Sequence, residues 1–293
     1  MAYSTTPLAA HADHVTFIVR NAVTPLTGSP ASRWVVGSNG FGGADVTDPL
    51  FPVRAAADDM LAVDTRIATA SASSINSLLL RCDPAIPFDW IVLGGVNGTV
   101  SGGYTEVVVQ TADSDDFLTL PTDVHNFGAV AVDGRLSAAL NASWTGVSRL
   151  RVRFTSAGTV VPQITEVFAG TRHALRRMPS AGWDDRGIRS TVDRTVSKSG
   201  VISSYTRAKG QRVAALDYRV GLDSERDAFR GIFDGTDYGA RHFLLCDLPL
   251  TSPDQVHMMV WDDPELVQRV ARGPTERATS LAFSETAPFL LTE

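Results

Sequence analysis

The feature that most constrains this chain is the rhythm of its first half. Gly, Pro, Ser and Asn recur about every ten residues, and the runs between them are short and β-branched or alternating: HVTFIVR, SLLLRC, FDWIVLGG, TEVVVQTA and SRLRVRFTS. Strands cut at that spacing predict an all-β sandwich or barrel rather than a helical bundle or a βαβ array. Arg149 to Phe154 is the clearest run. Leu150, Val152 and Phe154 alternate with Arg149, Arg151 and Arg153, so one face belongs to the core and the other reads as solvated, with an anionic ligand as the alternative.

Within this rhythm, FDWIVLGGVNGTVSGG packs Gly94, Gly95, Gly98, Gly102 and Gly103 behind an apolar run, as a phosphate-cradling loop does. The spacing fits neither dinucleotide nor P-loop patterns. The chain then continues as TEVVVQTADSDDF, a strand, where a phosphate site needs a helix N-terminus. The stretch is expected to be a glycine-rich connection between two strands.

Around Gly170 the style changes. TRHALRRMPSAGWDDRG has no clear period, and residues from about 171 to 210 read as an extended arm that crosses onto a neighbouring copy, with a surface linker as the alternative, at the opening of a second domain. The expectation is two domains, 1–170 and 171–293, the first a β-sandwich and the second β-rich with one or two short helices. In LDSERDAFRGIFDG, Asp223 or Ser224 can cap, Asp227 completes a capping box, Phe229, Ile232 and Phe233 share a face, and Gly235 ends the helix. In WDDPELVQRVARG, Asp263 caps, Pro264 takes the first helical position and Gly273 closes.

The chain has 293 residues and a formal net charge of −6, and it divides unevenly: 9 basic and 15 acidic side chains up to residue 170, then 17 of each. Neither part has the basic stripe that nucleic-acid binding requires, so no such partner is expected. No apolar run approaches the roughly 18 to 20 residues of a membrane span, and the N-terminus lacks a signal pattern, which points to synthesis in a cytoplasm. Cys82 and Cys246 read as core thiols, not a disulfide framework or zinc pair.

No catalytic constellation appears, so a binding or structural role is expected ahead of an enzyme, with no cofactor and no metal. His11 and His14 in HADH lack further ligands. Asp113, Asp115 and Asp116 could offer oxygens to calcium but read as an exposed Asp/Ser turn.

The series FDWIVLGGVNG, TEVVVQTADSDDF, SRLRVRFTS and VPQITEVFAG, from about Ser74 to Gly170, resembles the galactose-binding-like jelly roll of discoidin-type domains. With HALRRMPSAGWDDRG, a charged β domain and a final FSE strand, the whole also resembles distal-tail-like tail-tip and baseplate proteins of long-tailed bacteriophages. Its domain order is the reverse of the better-known one. That resemblance implies a structural virion protein of the tail, made in the host cytoplasm, forming a homo-oligomeric ring such as a hexamer beside tube and hub proteins. The alternative it implies is a carbohydrate-binding module that recognises a host-surface glycan. Such a site usually shows an exposed aromatic flanked by polar groups. The candidates are Trp34, Trp90, Trp144 and Tyr104; Trp90 reads as core, Trp144 in NASWTGVS as the best exposed, and Tyr104 as a weaker one.

Overall fold

A computed structural model describes residues 4–7, 15–23, 33–36, 67–68, 73–82, 87–99, 102–112, 117, 121–175, 184–196, 202–220, 223–246, 255–262, 269–272 and 276–285. The chain divides into two compact units. One holds Met1–Ala174 with Cys246–Val256 and Phe289–Glu293; the other holds Leu175–Leu245 with His257–Pro288. The structure is mainly β.

In the first unit, β1 (Ser4–Pro7), β2 (Thr16–Val19), β3 (Arg33–Val36), β4 (Ile67–Ala68) and β5 (Ser73–Arg81) precede the glycine-rich stretch. There follow β6 (Phe88–Val96), β7 (Tyr104–Thr111), β8 (Thr122–Val130), β9 (Gly134–Thr145), β10 (Arg149–Val160), β11 (Gln163–Ile164) and β12 (Glu166–Ala174). One sheet runs β1-β9-β6-β12-β2 and the other β3-β5-β10-β7-β8, every pairing antiparallel. Between them lies one apolar core, to which Leu78, Ile91, Val107, Leu150, Phe154 and Val167 contribute. Strands that alternate in this way bury one face each, which produces the sandwich of a jelly roll. Cys82 and Cys246 are free and buried, as expected, and burial pushes the Cys82 thiol up to about 12.

The glycines behave as connectors. Gly102 and Gly103 have φ of 92° and 86°, the left-handed region where a Cβ is penalised. At Gly98 a Cβ would sit 2.0 Å from the Val132 carbonyl oxygen, so only glycine lets the loop close on the β8–β9 turn. Strand, loop and strand follow one another, as read from the sequence.

The second unit opens with β13 (Asp184–Val196) and β14 (Ile202–Val220), then α1 (Asp223–Gly235), β15 (Phe243–Cys246), β16 (Val256–Trp261), β17 (Arg269–Arg272) and β18 (Glu276–Glu285). Its strands run β15-β16-β18-β14-β13, with β17 on β18. Two expectations meet the structure here. The stretch read as a linker or an extended arm is, where described, β-strand: Thr171–Ala174 finish β12, and β13 pairs with β14 from Asp184↔Ala215 to Val196↔Ile202, the register shifting between Asp185 and Ile188 and again on either side of Thr191. Its β-branched residues, Ile188, Thr191, Val192, Thr195 and Val196, favour the extended backbone. The helix read over Asp263–Gly273 is a strand from Arg269 to Arg272, paired at Arg269↔Ala278 and Val270↔Arg277. Pairing with β18 outweighs the local helical pattern there; 263–268 lie outside the described residues.

Helix α1 forms where its pattern placed it. Phe229 and Ile232 are buried, and Phe233 packs edge-on against Trp261 at 5.9 Å. Trp261 also touches Phe243 and Phe283, so this helix face completes an aromatic core.

Candidate functional site

Trp144 and Tyr104, read as ligand platforms, are in the core. Trp144 is only 7% exposed and lies opposite Phe88 across β9 and β6. Tyr104 is 3% exposed; its ring packs 5.1 Å from Phe154 and its hydroxyl donates to Asn97 Oδ1 at 2.7 Å. Asn97 Oδ1 also accepts the Gln163 N–H at 2.8 Å, and its amide donates to the Val161 carbonyl at 3.0 Å. Burial, reinforced by the charge of Asp133, raises the Tyr104 phenol, so this hydroxyl stays protonated and pins the glycine-rich loop. Neither ring offers an exposed face. NASWTGVS is polar around its Trp, but the strand's alternation turns the Trp inward. Trp90 is core, as read, and its indole N–H donates to Ser137 Oγ at 2.8 Å.

Trp34 lies in β3, outside the residues whose side chains are described, and His11, His14, Asp113, Asp115 and Asp116 lie outside the described residues altogether. Among the described residues no three His, Cys, Asp or Glu side chains gather as metal ligands.

The exposed polar chemistry of the first unit lies on the outer face of the five-stranded sheet. Register places three rows across it: Leu79–Arg151–Gln110–Asp123, then Ser77–Arg153–Val108–Asn126, then Ile75–Thr155–Glu106. The first row is not the wet face that alternation implied. Arg151 is 2% exposed, its guanidinium sits 4.8 Å from the centre of the Phe117 ring, and Nε and Nη2 donate to Gln110 Oε1 at 2.9 and 2.6 Å. Gln110 Nε2 in turn donates to Asp123 Oδ1 at 2.7 Å. Burial, with a smaller push from Arg153, lowers Arg151 to about 10 against the pull of Asp123, which still leaves it charged at neutral pH. An arginine covered by an aromatic ring is stabilised by the ring's quadrupole, which is how this face holds a buried cation.

Toward the other end the face opens. Glu106 Oε2 accepts Arg153 Nη2 at 2.6 Å and Oε1 accepts the Asn126 amide at 3.0 Å, and the Arg153 and Glu106 side chains are 31% and 35% exposed. The Asn126 side-chain oxygen accepts the Gly128 N–H at 2.7 Å, which fixes the amide's orientation. A guanidinium, a carboxylate and an amide are thus held in set directions at the surface, with the Arg151 row rigid behind them. Sequence reasoning found the arginines but missed Glu106 and Asn126. The alternation of Glu106, Val108 and Gln110 against Val107 and Val109 carried part of that signal; β8 was not recognisable as a strand.

No family model matches the chain, and no characterised protein matches it in sequence. Among solved structures, a chitosan-binding module of a chitosanase/glucanase from Paenibacillus sp. IK-5 aligns over 52% of this chain and 98% of its own, at 13% identity and a TM-score of 0.37. The CBM32 domains of Clostridium perfringens ZmpB in complex with GalNAc align over 48% of this chain and 32% of theirs, at 16% identity and a TM-score of 0.33. A GH29 fucosidase of Ruminococcus gnavus in complex with fucose aligns over 52% and 27%, at 12% identity and a TM-score of 0.33. Likenesses at these scores transfer no ligand to this chain.

Proposed function

We propose that this chain is a carbohydrate-binding protein that acts by recognition rather than catalysis, its jelly roll taking a glycan on the outer face of the five-stranded sheet and its second unit serving as the attachment. The observation that carries this reading is the Arg153–Glu106–Asn126 cluster, which bridges two rows of the sheet and whose donors and acceptors are oriented by one another while the side chains stay partly open to water. Sugar hydroxyls are read by such fixed pairs of carboxylate, amide and guanidinium, because a pre-set group loses little entropy when it binds. The test is a glycan array with the purified chain, followed by calorimetry on the best ligand. Glu106→Gln should weaken binding about tenfold or more, the scale of a hydrogen bond to a charged group. A chain that binds no glycan, or binds equally well after this substitution, would overturn the reading.

One observation favours a second reading, a structural component of a bacteriophage tail tip that assembles with itself and with other tail proteins. Strand β14 pairs with β18 only over Val213–Val220, so Ile202–Arg212 and their β13 partners continue as a two-stranded ribbon. Such a ribbon is marginal alone, and its open edge suits strand addition to a neighbour. Its sequence is basic, with Arg189, Arg194, Arg207, Lys209 and Arg212 against Asp193, and the first part of the chain is acidic. On this reading electron microscopy of the purified chain shows closed rings that vanish when the ribbon is shortened; monodisperse single copies at high concentration would contradict it.

A further inference from the structure

The described residue that best satisfies the criterion of an exposed aromatic flanked by polar groups is in the second unit and was not among the candidates read from the sequence. Helix α1 ends at Gly235, and Asp237, Tyr238 and Gly239 follow with φ of 51°, 55° and 86°. L residues enter this region singly when they enter it at all, and a bulky side chain there is a marked outlier. Three in succession make one left-handed turn, and its middle residue is Tyr238, 66% exposed. Strain of this kind persists only where the surroundings over-determine it, and it points toward function.

Thr236 over-determines it here. Fully buried, its hydroxyl donates to the Phe233 carbonyl at 2.9 Å and accepts both the Trp261 indole N–H at 3.1 Å and the Gly239 N–H at 3.3 Å. The Tyr238 N–H donates to the Phe233 carbonyl at 3.0 Å, and the Phe233 ring stands edge-on to the Tyr238 ring at 5.8 Å. The aromatic core of the second unit therefore holds the tyrosine out into water instead of folding it in.

The neighbours select the kind of ligand. Arg241 and Asp237 pair at 3.8 Å, and Arg230 and Asp234 at 3.9 Å, long ion pairs on exposed side chains. Beyond Tyr238, the exposed large apolar side chains among the described residues are Ile75 and Val132, both in the first unit, so the described residues put no apolar patch around this ring of the kind found at the centre of a protein interface. A single aromatic face bordered by charged donors and acceptors instead matches one pyranose ring, whose axial C–H face is apolar and whose rim is hydroxyl.

We propose that the Tyr238 turn is a second saccharide-binding subsite, the sugar stacking on the tyrosine ring with Asp237 and Arg241 meeting its hydroxyls. The site is independent of the jelly-roll face, and its test is kept independent too. Saturation-transfer NMR on the full chain carrying Glu106→Gln and Arg153→Gln, which silence the jelly-roll face, with methyl galactoside, methyl glucoside and methyl N-acetylglucosaminide should show transfer to ring C–H protons for at least one of them. That transfer should disappear in Tyr238→Ala and persist in Tyr238→Phe, which keeps the ring. Tyr238→Gly should abolish it while raising the melting temperature, because glycine accepts the left-handed backbone without strain. Absence of transfer from all three sugars, transfer that survives Tyr238→Ala, loss in Tyr238→Phe, or a lower melting temperature for Tyr238→Gly would each overturn the proposal; transfer surviving Tyr238→Ala would do so while leaving the jelly-roll reading standing.

Discussion

Asp89 and Arg151 are both buried charges, and the sheet treats them differently. Arg151 has an aromatic lid and a doubly bonded Gln110, so it keeps its charge. Asp89, at the start of β6, accepts the Arg172 N–H at 2.8 Å and lies 3.5 Å from the Arg172 guanidinium, yet burial outweighs both and raises its carboxyl to about 6. The proton is therefore held more tightly in the folded chain than in the unfolded one. Its stabilising contribution is complete below about pH 4 and is lost as pH rises through about 6, a difference on the order of 3 kcal/mol for a two-unit shift. Asp89→Asn, which can still accept the Arg172 N–H, should gain about that much on the wild type between pH 4 and pH 7. Denaturant titrations at the two pH values check it; parallel profiles would show that Asp89 ionises freely. At this scale the sequence was legible for the two thiols and for the outward turn of the arginines. It was silent on Arg151's burial, because Phe117 reaches the guanidinium from outside the strand and no local period encodes that contact.

Among the elements, those with their own signals were readable and those made by their neighbours were not. Helix α1 has a cap, a buried face and a glycine stop within one short stretch, and it forms as read. Its Phe229 is 1% exposed, so Phe229→Ala should destabilise the chain by about 3 to 5 kcal/mol in a denaturant melt; an unchanged midpoint would mean that the helix face is not part of the core. The same reading failed at β17, where a cap and a Pro pointed to a helix and pairing with β18 made a strand. Strands β8 and β9 were missed for a related reason: TDVHNFGAV lacks a clean apolar/polar alternation, GRLSAALNASWT is rich in Gly, Ala, Asn and Ser, and their extended state depends on β7, β6 and β1 beside them. The left-handed turn after α1 had no sequence signal beyond Gly239, since neither Asp237 nor Tyr238 calls for positive φ and the Thr236 hydrogen bonds that hold it come from folding.

Over the whole molecule, the rhythm of the first half was enough for a sandwich, and the change of style near Gly170 marked a different kind of chain. Alternation alone did not show that Cys246–Val256 belongs with the first unit, because that membership depends on long-range contact. The same limit applied to function. Trp144 and Tyr104, which looked like ligand platforms, are rings the sandwich needs inside it, while the polar cluster of Arg153, Glu106 and Asn126 became visible only once β7, β8 and β10 were set side by side. The central claim, that this cluster is where the jelly roll meets a glycan, is tested most directly by mapping amide shifts in isotope-labelled chain titrated with the glycan that an array selects. The account predicts saturable shifts concentrated at Glu106, Asn126 and Arg153 and their sheet neighbours, absent in Glu106→Gln; shifts that leave this face untouched while the glycan binds elsewhere on the sandwich would contradict it.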